Sequence, residues 1–220
     1  MFINFITPCT RPHNLWKIYE SINIPKQNYR WLVVFDGLKV DSTEEMLSED
    51  LPPTVEPYVV SDPTGISGNP QRNLALDKVE KGWIYFLDDD TLLHPELYDT
   101  VKEYDTTHTF LHFPQNDRHN DFRLFGKEVG VGYIDSAQML THHSIVKGYR
   151  WVNDVYEADG LWGKEMKSRS ESSLWIKKTL SNYNLLRDIE TEGEFTLVKP
   201  LHTRSHKQYL EDVNKHNNGV

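Results

Sequence analysis

The sequence predicts an α/β fold built on a mostly parallel sheet with helices on both faces. Three observations predict it. The first ninety residues alternate short apolar runs with stretches of helical spacing. Those runs are apolar along their whole length, as strands covered on both sides must be. Each run also ends in polar or turn-forming residues, and in such sheets ligands bind beyond the carboxyl ends of the strands.

Taken in order, Phe2-Ile3-Asn4-Phe5-Ile6 reads as a buried strand stopped by Thr7-Pro8. Leu15, Ile18, Tyr19 and Ile22 then recur at helical spacing. Trp31-Leu32-Val33-Val34-Phe35 is a second strand ending at Asp36-Gly37, and Ser42 to Leu47 opens like a capped helix. Tyr58-Val59-Val60 is a third strand. The Gly-, Pro- and Ser-rich segment from Ser61 to Pro70 is a loop, and Gln71 to Lys81 a helix. Trp83 to Leu87 is a fourth strand, running into Asp88-Asp89-Asp90. The second half is less regular. A short helix is expected over Pro95 to Tyr104 and a strand over Thr109 to Phe113. Strand material is expected over Gly130 to Ile134 and Ala137 to Leu140. An amphipathic helix should span Ser170 to Leu180, and a last strand Phe195 to Val198. No internal repeat or low-complexity segment is found.

At 220 residues the chain suits one domain. It divides into residues 1–94, 95–204 and a polar tail, 205–220; the first two would be a nucleotide-binding and an acceptor-binding half on the resemblance described below. Six Trp, eleven Tyr and nine Phe supply a core and argue against disorder. A formal charge of −9 gives no general attraction for nucleic acid or anionic lipid. A phosphate-bearing ligand therefore needs a local remedy: a metal ion, a few Arg or Lys, or backbone amides. The single cysteine, Cys9, forms no internal disulfide and reads as a small buried residue. The N-terminus lacks the pattern of a signal peptide, and no window approaches a membrane-spanning length, so a soluble, cytoplasmic protein is expected.

The strongest chemical signal is Ile84-Tyr85-Phe86-Leu87-Asp88-Asp89-Asp90. Carboxylates at alternate positions after a strand point to one side and can share a divalent cation. Such a cation neutralises a diphosphate and stabilises it as a leaving group. The plainer reading is an aspartate loop capping the next helix, but a cap needs one carboxylate, not three that repel. Arg72 follows a Gly- and Pro-rich loop and opens a helix, where the dipole disfavours a cation. That tilts it toward meeting phosphate or ribose. Acidic residues among aromatics, as in Trp151 to Trp162, can have raised pKa values suited to a general base. Helix-capping acids are the rival reading. No Gly-x-Ser-x-Gly, Walker loop, zinc-finger spacing or Gly-x-Gly-x-x-Gly occurs, which disfavours hydrolases of that type, kinases and dinucleotide oxidoreductases.

An apolar strand followed by Asp-x-Asp resembles the GT-A fold nucleotide-sugar glycosyltransferases, particularly small family-2-like members encoded by viruses or bacteria. Phe5-Ile6-Thr7-Pro8 looks like their first strand and base-binding loop, and Val33 to Gly37 like the second strand, whose terminal Asp36 contacts the nucleobase. Gly68-Asn69-Pro70-Gln71-Arg72-Asn73 is similar to the segment whose Asn and Arg line the nucleotide site. In motif form the resemblance covers about half the chain, up to His94. It implies a GT-A-like, Rossmann-type sheet and a nucleotide-sugar donor, UDP-linked, held by Thr7, Pro8, Arg11, Asp36, Asn69, Arg72, Asp88, Asp89 and Gln138. It implies Mn²⁺ or Mg²⁺ held by Asp90, by Asp88 and by a C-terminal His202. Glu157-Ala158-Asp159-Gly160 looks like the family's acidic motif, with Ala158 separating two acids usually adjacent, so Asp159, ahead of Glu157, is the expected base for an inverting transfer. The acceptor expected is a hydroxyl of a glycan or glycoconjugate, with Asp135, Gln138, Trp151 and Trp162 as sugar contacts. Alternatives are a nucleotidyltransferase acting on sugar phosphates and a non-catalytic nucleotide- or glycan-binding domain.

Overall fold

Two runs of β-branched and aromatic residues open the first half, and both extend as strands in the computed structural model, which describes residues 1–37, 51–60, 65–117, 119 and 121–187. They are β1 (Ile3–Cys9) and β2 (Tyr29–Asp36), separated by helix α1 (Leu15–Ser21). Then come β3 (Val55–Val60), α2 (Asn69–Leu76), β4 (Trp83–Phe86) and α3 (Leu97–Val101). The second half contributes β5 (Phe110–His112), β6 (Gln115–Asn116), β7 (Phe122–Leu124), β8 (Met139–His142) and α4 (His143–Val146). It closes with α5 (Ala158–Arg169), β9 (Ser173–Trp175) and β10 (Ser181–Asn182).

The main sheet has seven strands in the order β3-β2-β1-β4-β8-β5-β9, and a small one has the order β10-β6-β7. Strands β3, β2, β1 and β4 are parallel, β8 runs antiparallel between β4 and β5, and β9 is parallel to β5. From β1 the chain lays β2 and β3 to one side and β4 to the other. That is a topological switch point, where an open α/β sheet leaves a crevice.

Alternating residues of these strands feed two cores. On one face Phe5, Val33 and Tyr85 pack with Leu15 and Ile18 of α1 and Leu97 and Val101 of α3. On the other, Ile6, Val34 and Phe86 pack with Ala75 and Leu76 of α2 and Trp162 and Met166 of α5. This is why the strands read as apolar throughout, and the expected fold class holds.

Three local expectations are corrected. β1 does not stop at Thr7 but continues to Cys9, because Thr7, Pro8 and Cys9 pair in register with Val33, Val34 and Phe35. Gly130 to Ile134 is a turn and Ser136–Gln138 a 3₁₀ helix, so strand begins only at Met139. The segment from Ser170 to Leu180 is not a helix. The open edge of β5 recruits Ser173–Trp175, with Thr109 N–H donating to Ser172 O at 3.0 Å and Ile176 N–H to His112 O at 2.9 Å. The expected helix over Ser42 to Leu47, the strand over Phe195 to Val198, and His202 with the tail lie outside the described residues. Among the described residues no helix is long and apolar enough to cross a membrane.

Candidate active site

The three aspartates follow β4 at the switch point, with Asp89 and Asp90 in a turn. Asp89 turns inward and is 4% exposed. Its Oδ2 accepts from the Thr10 and Arg11 backbone N–H groups at 2.6 and 2.8 Å and from Thr10 Oγ1 at 3.1 Å. Its Oδ1 accepts from Arg11 Nη1 at 2.7 Å. Four donors of one loop engage a side chain that is 6% exposed, so Asp89 clasps the loop after β1 instead of opening toward a ligand, which corrects its expected role as a donor contact.

Asp88 and Asp90 are engaged differently. The Asp88 side chain keeps 34% of its exposure and accepts from Arg72 Nη2 at 2.7 Å. Burial raises its pKa, Arg72 opposes, and Asp135 and Asp89 add to the rise. Asp90 is 13% exposed and lies 3.7 Å from Arg11 Nη1. Its pKa is pushed up to about 7 by burial and then by the charges of Asp88 and Asp89.

Arg72 is buried at the start of α2, and its surroundings explain how a cation survives there. Its guanidinium carbon sits 4.8 Å over the Trp151 ring. Its Nη1 donates to Ser67 O and to Asn69 Oδ1, and its Nη2 to Asp88. Arg72 is thus a brace that orients Asp88. Gly68 makes the approach possible: it has φ +75°, and a Cβ there would meet the Pro8 Cβ at 2.6 Å.

Other expected contacts prove to be walls. Thr7 Oγ1 donates to Leu87 O at 2.6 Å and accepts from Trp31 Nε1 at 2.9 Å, fully buried. Asn69 donates to Val152 O and Val155 O at 2.9 and 3.3 Å, anchoring the loop before α5. Gln138 is wholly buried; its Oε1 accepts from the Asp135 N–H at 2.9 Å. Its Nε2 donates to Phe113 O and Leu124 O at 2.9 and 3.1 Å. Both ends of the Gln138 amide are committed, which corrects its assignment to the donor. Asp36 ends β2 on the expected edge, 7% exposed.

Glu157 and Asp159 are separated by one residue at the start of α5, about 200° apart around the helix. Glu157 is exposed, whereas Asp159 is half-buried. The Asp159 pKa is pushed up to about 7 by burial and then by Asp135 and Asp88, against Arg72 and Arg123. Asp159 thus feels the charge of Asp88 at the end of β4.

Asp135 stands between these groups. It caps the 3₁₀ turn by accepting from Ala137 N–H at 3.0 Å, and it accepts from Arg123 Nη1 at 3.2 Å and Gln115 Nε2 at 3.3 Å. Arg123 in turn stacks its guanidinium 3.5 Å over the Tyr183 ring. Asp135 was legible as a polar residue among aromatics. Arg123 and Tyr183 were not, since each is a lone polar residue in a short strand or turn with no local pattern.

A divalent cation fits this donor set in one form. Among the described residues no three His, Cys, Asp or Glu side chains converge to hold a metal. Asp88 and Asp90 offer hard oxygens beside like charges that a cation would relieve. Two protein carboxylates, with substrate phosphates and water completing the shell, are how Mg²⁺ is commonly bound.

The family model described as "Glycosyl transferase family 2" matches residues 6–143, from β1 through the Asp-x-Asp turn to β8. S. aureus TarS 1-349 in complex with UDP-GlcNAc superposes with a TM-score of 0.66 at 17% identity, over 83% of this chain and 58% of that one. The mannosyltransferase PcManGT from Pyrobaculum calidifontis, in complex with GDP-Man and Mn²⁺, gives 0.64 at 13% identity, over 85% and 58%. The chain thus spans about three-fifths of the length of these proteins, and at such identities the likeness is one of fold. No curated protein matches the sequence.

Proposed function

Because the chain belongs to glycosyl transferase family 2, we propose that it moves a sugar from a nucleotide diphosphate, UDP-linked, to an acceptor hydroxyl with inversion, dependent on Mn²⁺ or Mg²⁺. The observation that carries this reading is the convergence of Asp88 and Asp90, after β4, with Asp159 at the start of α5. The charge of Asp88 raises the pKa of both Asp90 and Asp159, which supports reading the first two as cation ligands and the third as a base beside them. Support for the donor class comes from the solved neighbours, whose printed ligands are UDP-GlcNAc and GDP-Man with Mn²⁺.

In this reading Asp90 and Asp88 would hold the metal, which would supply positive charge to a diphosphate leaving group. Arg72 holds Asp88 in its rotamer, and Asp89 holds the loop after β1 against the site. Asp36 and Pro8 border the base. Asp159 takes the proton of the acceptor hydroxyl as that oxygen bonds the anomeric carbon. The carbon–oxygen bond to the diphosphate breaks with its electron pair on the leaving group. A base with pKa near 7 suits this step at neutral pH.

Calorimetric titration with UDP, GDP, dTDP and CDP, with and without Mn²⁺, tests the donor half. UDP should bind more tightly with metal present, and Asp90→Ala should abolish that difference. If no diphosphate responds to metal, the reading fails. Asp159→Asn should lower kcat by about 10²–10⁴-fold while sparing donor affinity; unchanged turnover would move the base elsewhere.

A further inference from the structure

Trp151 and Trp162 are 3% and 0% exposed, which corrects their expected role as sugar contacts. Their rings stack 5.2 Å apart at 11°, and Phe86 of β4 meets them edge-on at 4.9 and 5.5 Å. The Arg72 guanidinium carbon lies 4.8 Å from the Trp151 ring and 5.8 Å from that of Phe86. Trp151 thereby meets three elements that bear on the site. Phe86 ends β4 two residues before Asp88, and Arg72 of α2 donates to Asp88. Trp162 lies three residues after Asp159 on α5.

The backbone of Trp151 is held as closely as its ring. The Asn73 side chain accepts from the Trp151 N–H at 2.8 Å and donates to its carbonyl at 2.9 Å, bonding it as a neighbouring strand would. Asn73 Nδ2 also donates to Asn153 Oδ1 at 2.9 Å, and the Ile66 N–H donates to Asn153 O at 2.8 Å. Yet Nε1 of Trp151 has no hydrogen-bond partner among the described residues. A buried indole usually bonds that N–H, and leaving it unbonded costs stability that a phenylalanine or leucine would not lose. What the indole offers in return is the best aromatic face for a cation. The cation on it is Arg72.

We infer that Trp151 is a positioning residue of the proposed cation site: its face, seated by Asn73 and Trp162, holds Arg72 in the direction from which it fixes Asp88. The inference rests on the transferase reading above, in which Asp88 is a cation ligand. Arg72 is long and rich in rotamers. Its bonds to Ser67 O and Asn69 Oδ1 hold only Nη1, and its Nε has no partner among the described residues. Contact with the indole restricts the plane of the guanidinium, and so the direction in which Nη2 reaches Asp88 at 2.7 Å. With the ring removed, the guanidinium is free to turn and Asp88 loses a fixed partner.

Calorimetric titration of the full chain with UDP, with and without Mn²⁺, reads this as the gain in UDP affinity that metal brings. Trp151→Leu should cut that gain about five- to tenfold, and Trp151→Phe, which keeps a ring, about threefold. UDP affinity without metal should stay within about twofold of the parent, because the ring acts through a cation ligand. The Trp151→Leu, Arg72→Gln double variant should lose no more than Arg72→Gln alone, whereas independent effects would multiply. Should Trp151→Leu lack a cooperative thermal transition, Trp151→Phe carries the same three readings. A gain within twofold of the parent for Trp151→Leu overturns the inference. So does an equal fall in metal-free affinity, which would mark general damage to the fold, or a double variant that loses the product of the single losses. Any of these in a chain whose parent binds UDP more tightly with Mn²⁺ sinks this inference alone. A parent with no metal-dependent UDP binding sinks the transferase reading and this inference with it.

Discussion

Asp159 and Glu157 show how a single residue's surroundings decide its chemistry. Both are carboxylates in the same acidic motif, yet one is solvated and the other is enclosed by Asp135, Asp88 and two arginines. In its proposed role as base Asp159 must be deprotonated to accept a proton, so kcat should climb as pH rises through about 7 and level off above it. A pH–rate profile checks this. Asp135→Asn removes a like charge and should move the limb to lower pH; an unmoved limb would mean that burial alone raises Asp159. The sequence showed that an acid of this motif was the candidate. It could not choose on physical grounds, because the neighbours that raise one pKa, Asp88 and Asp135, come from the end of β4 and from the 3₁₀ turn.

At the scale of elements, helix α5 is positioned by its glycines. A Cβ on Gly160 would collide with the Val131 backbone, and one on Gly163 would meet Met139 Sδ and Val129 Cγ1 at 2.8 Å. The helix therefore sits closer to the 129–134 turn than alanine would permit, and Asp159 is carried with it. Gly160→Ala should cost about 1–3 kcal/mol and lower Tm by several degrees, read by calorimetry. An unchanged Tm would mean that the turn yields freely. The long parallel strands were legible because burial on both faces leaves an unbroken apolar run. Strand β9 was not: Ser173-Leu174-Trp175 has no such run, and its conformation is imposed by the open edge of β5. The same competition turned an expected helix over Ser170 to Leu180 into strand and turn.

Across the whole molecule, the main sheet joins what the sequence divided into two halves. β4 pairs with β1 on one side and with β8 on the other, and Trp162 and Met166 of α5 cover the face built by Ile6, Val34 and Phe86. One cooperative unfolding transition is expected, and a 1–94 fragment should show no native near-ultraviolet signal; two transitions or a folded fragment would contradict this. The sequence by itself determined the α/β class, the succession of the first four strands along the chain and the Asp-x-Asp motif after the fourth, because strand burial and turn chemistry are written locally. Only the tertiary structure decided which polar groups reach the crevice. Asp89 is spent on Arg11, 78 residues away, and Gln138 on Phe113 and Leu124. Asp135, Arg123 and Tyr183 are gathered from separate segments. Hydrogen bonds over such separations follow from how the sheet closes, and no local pattern records them.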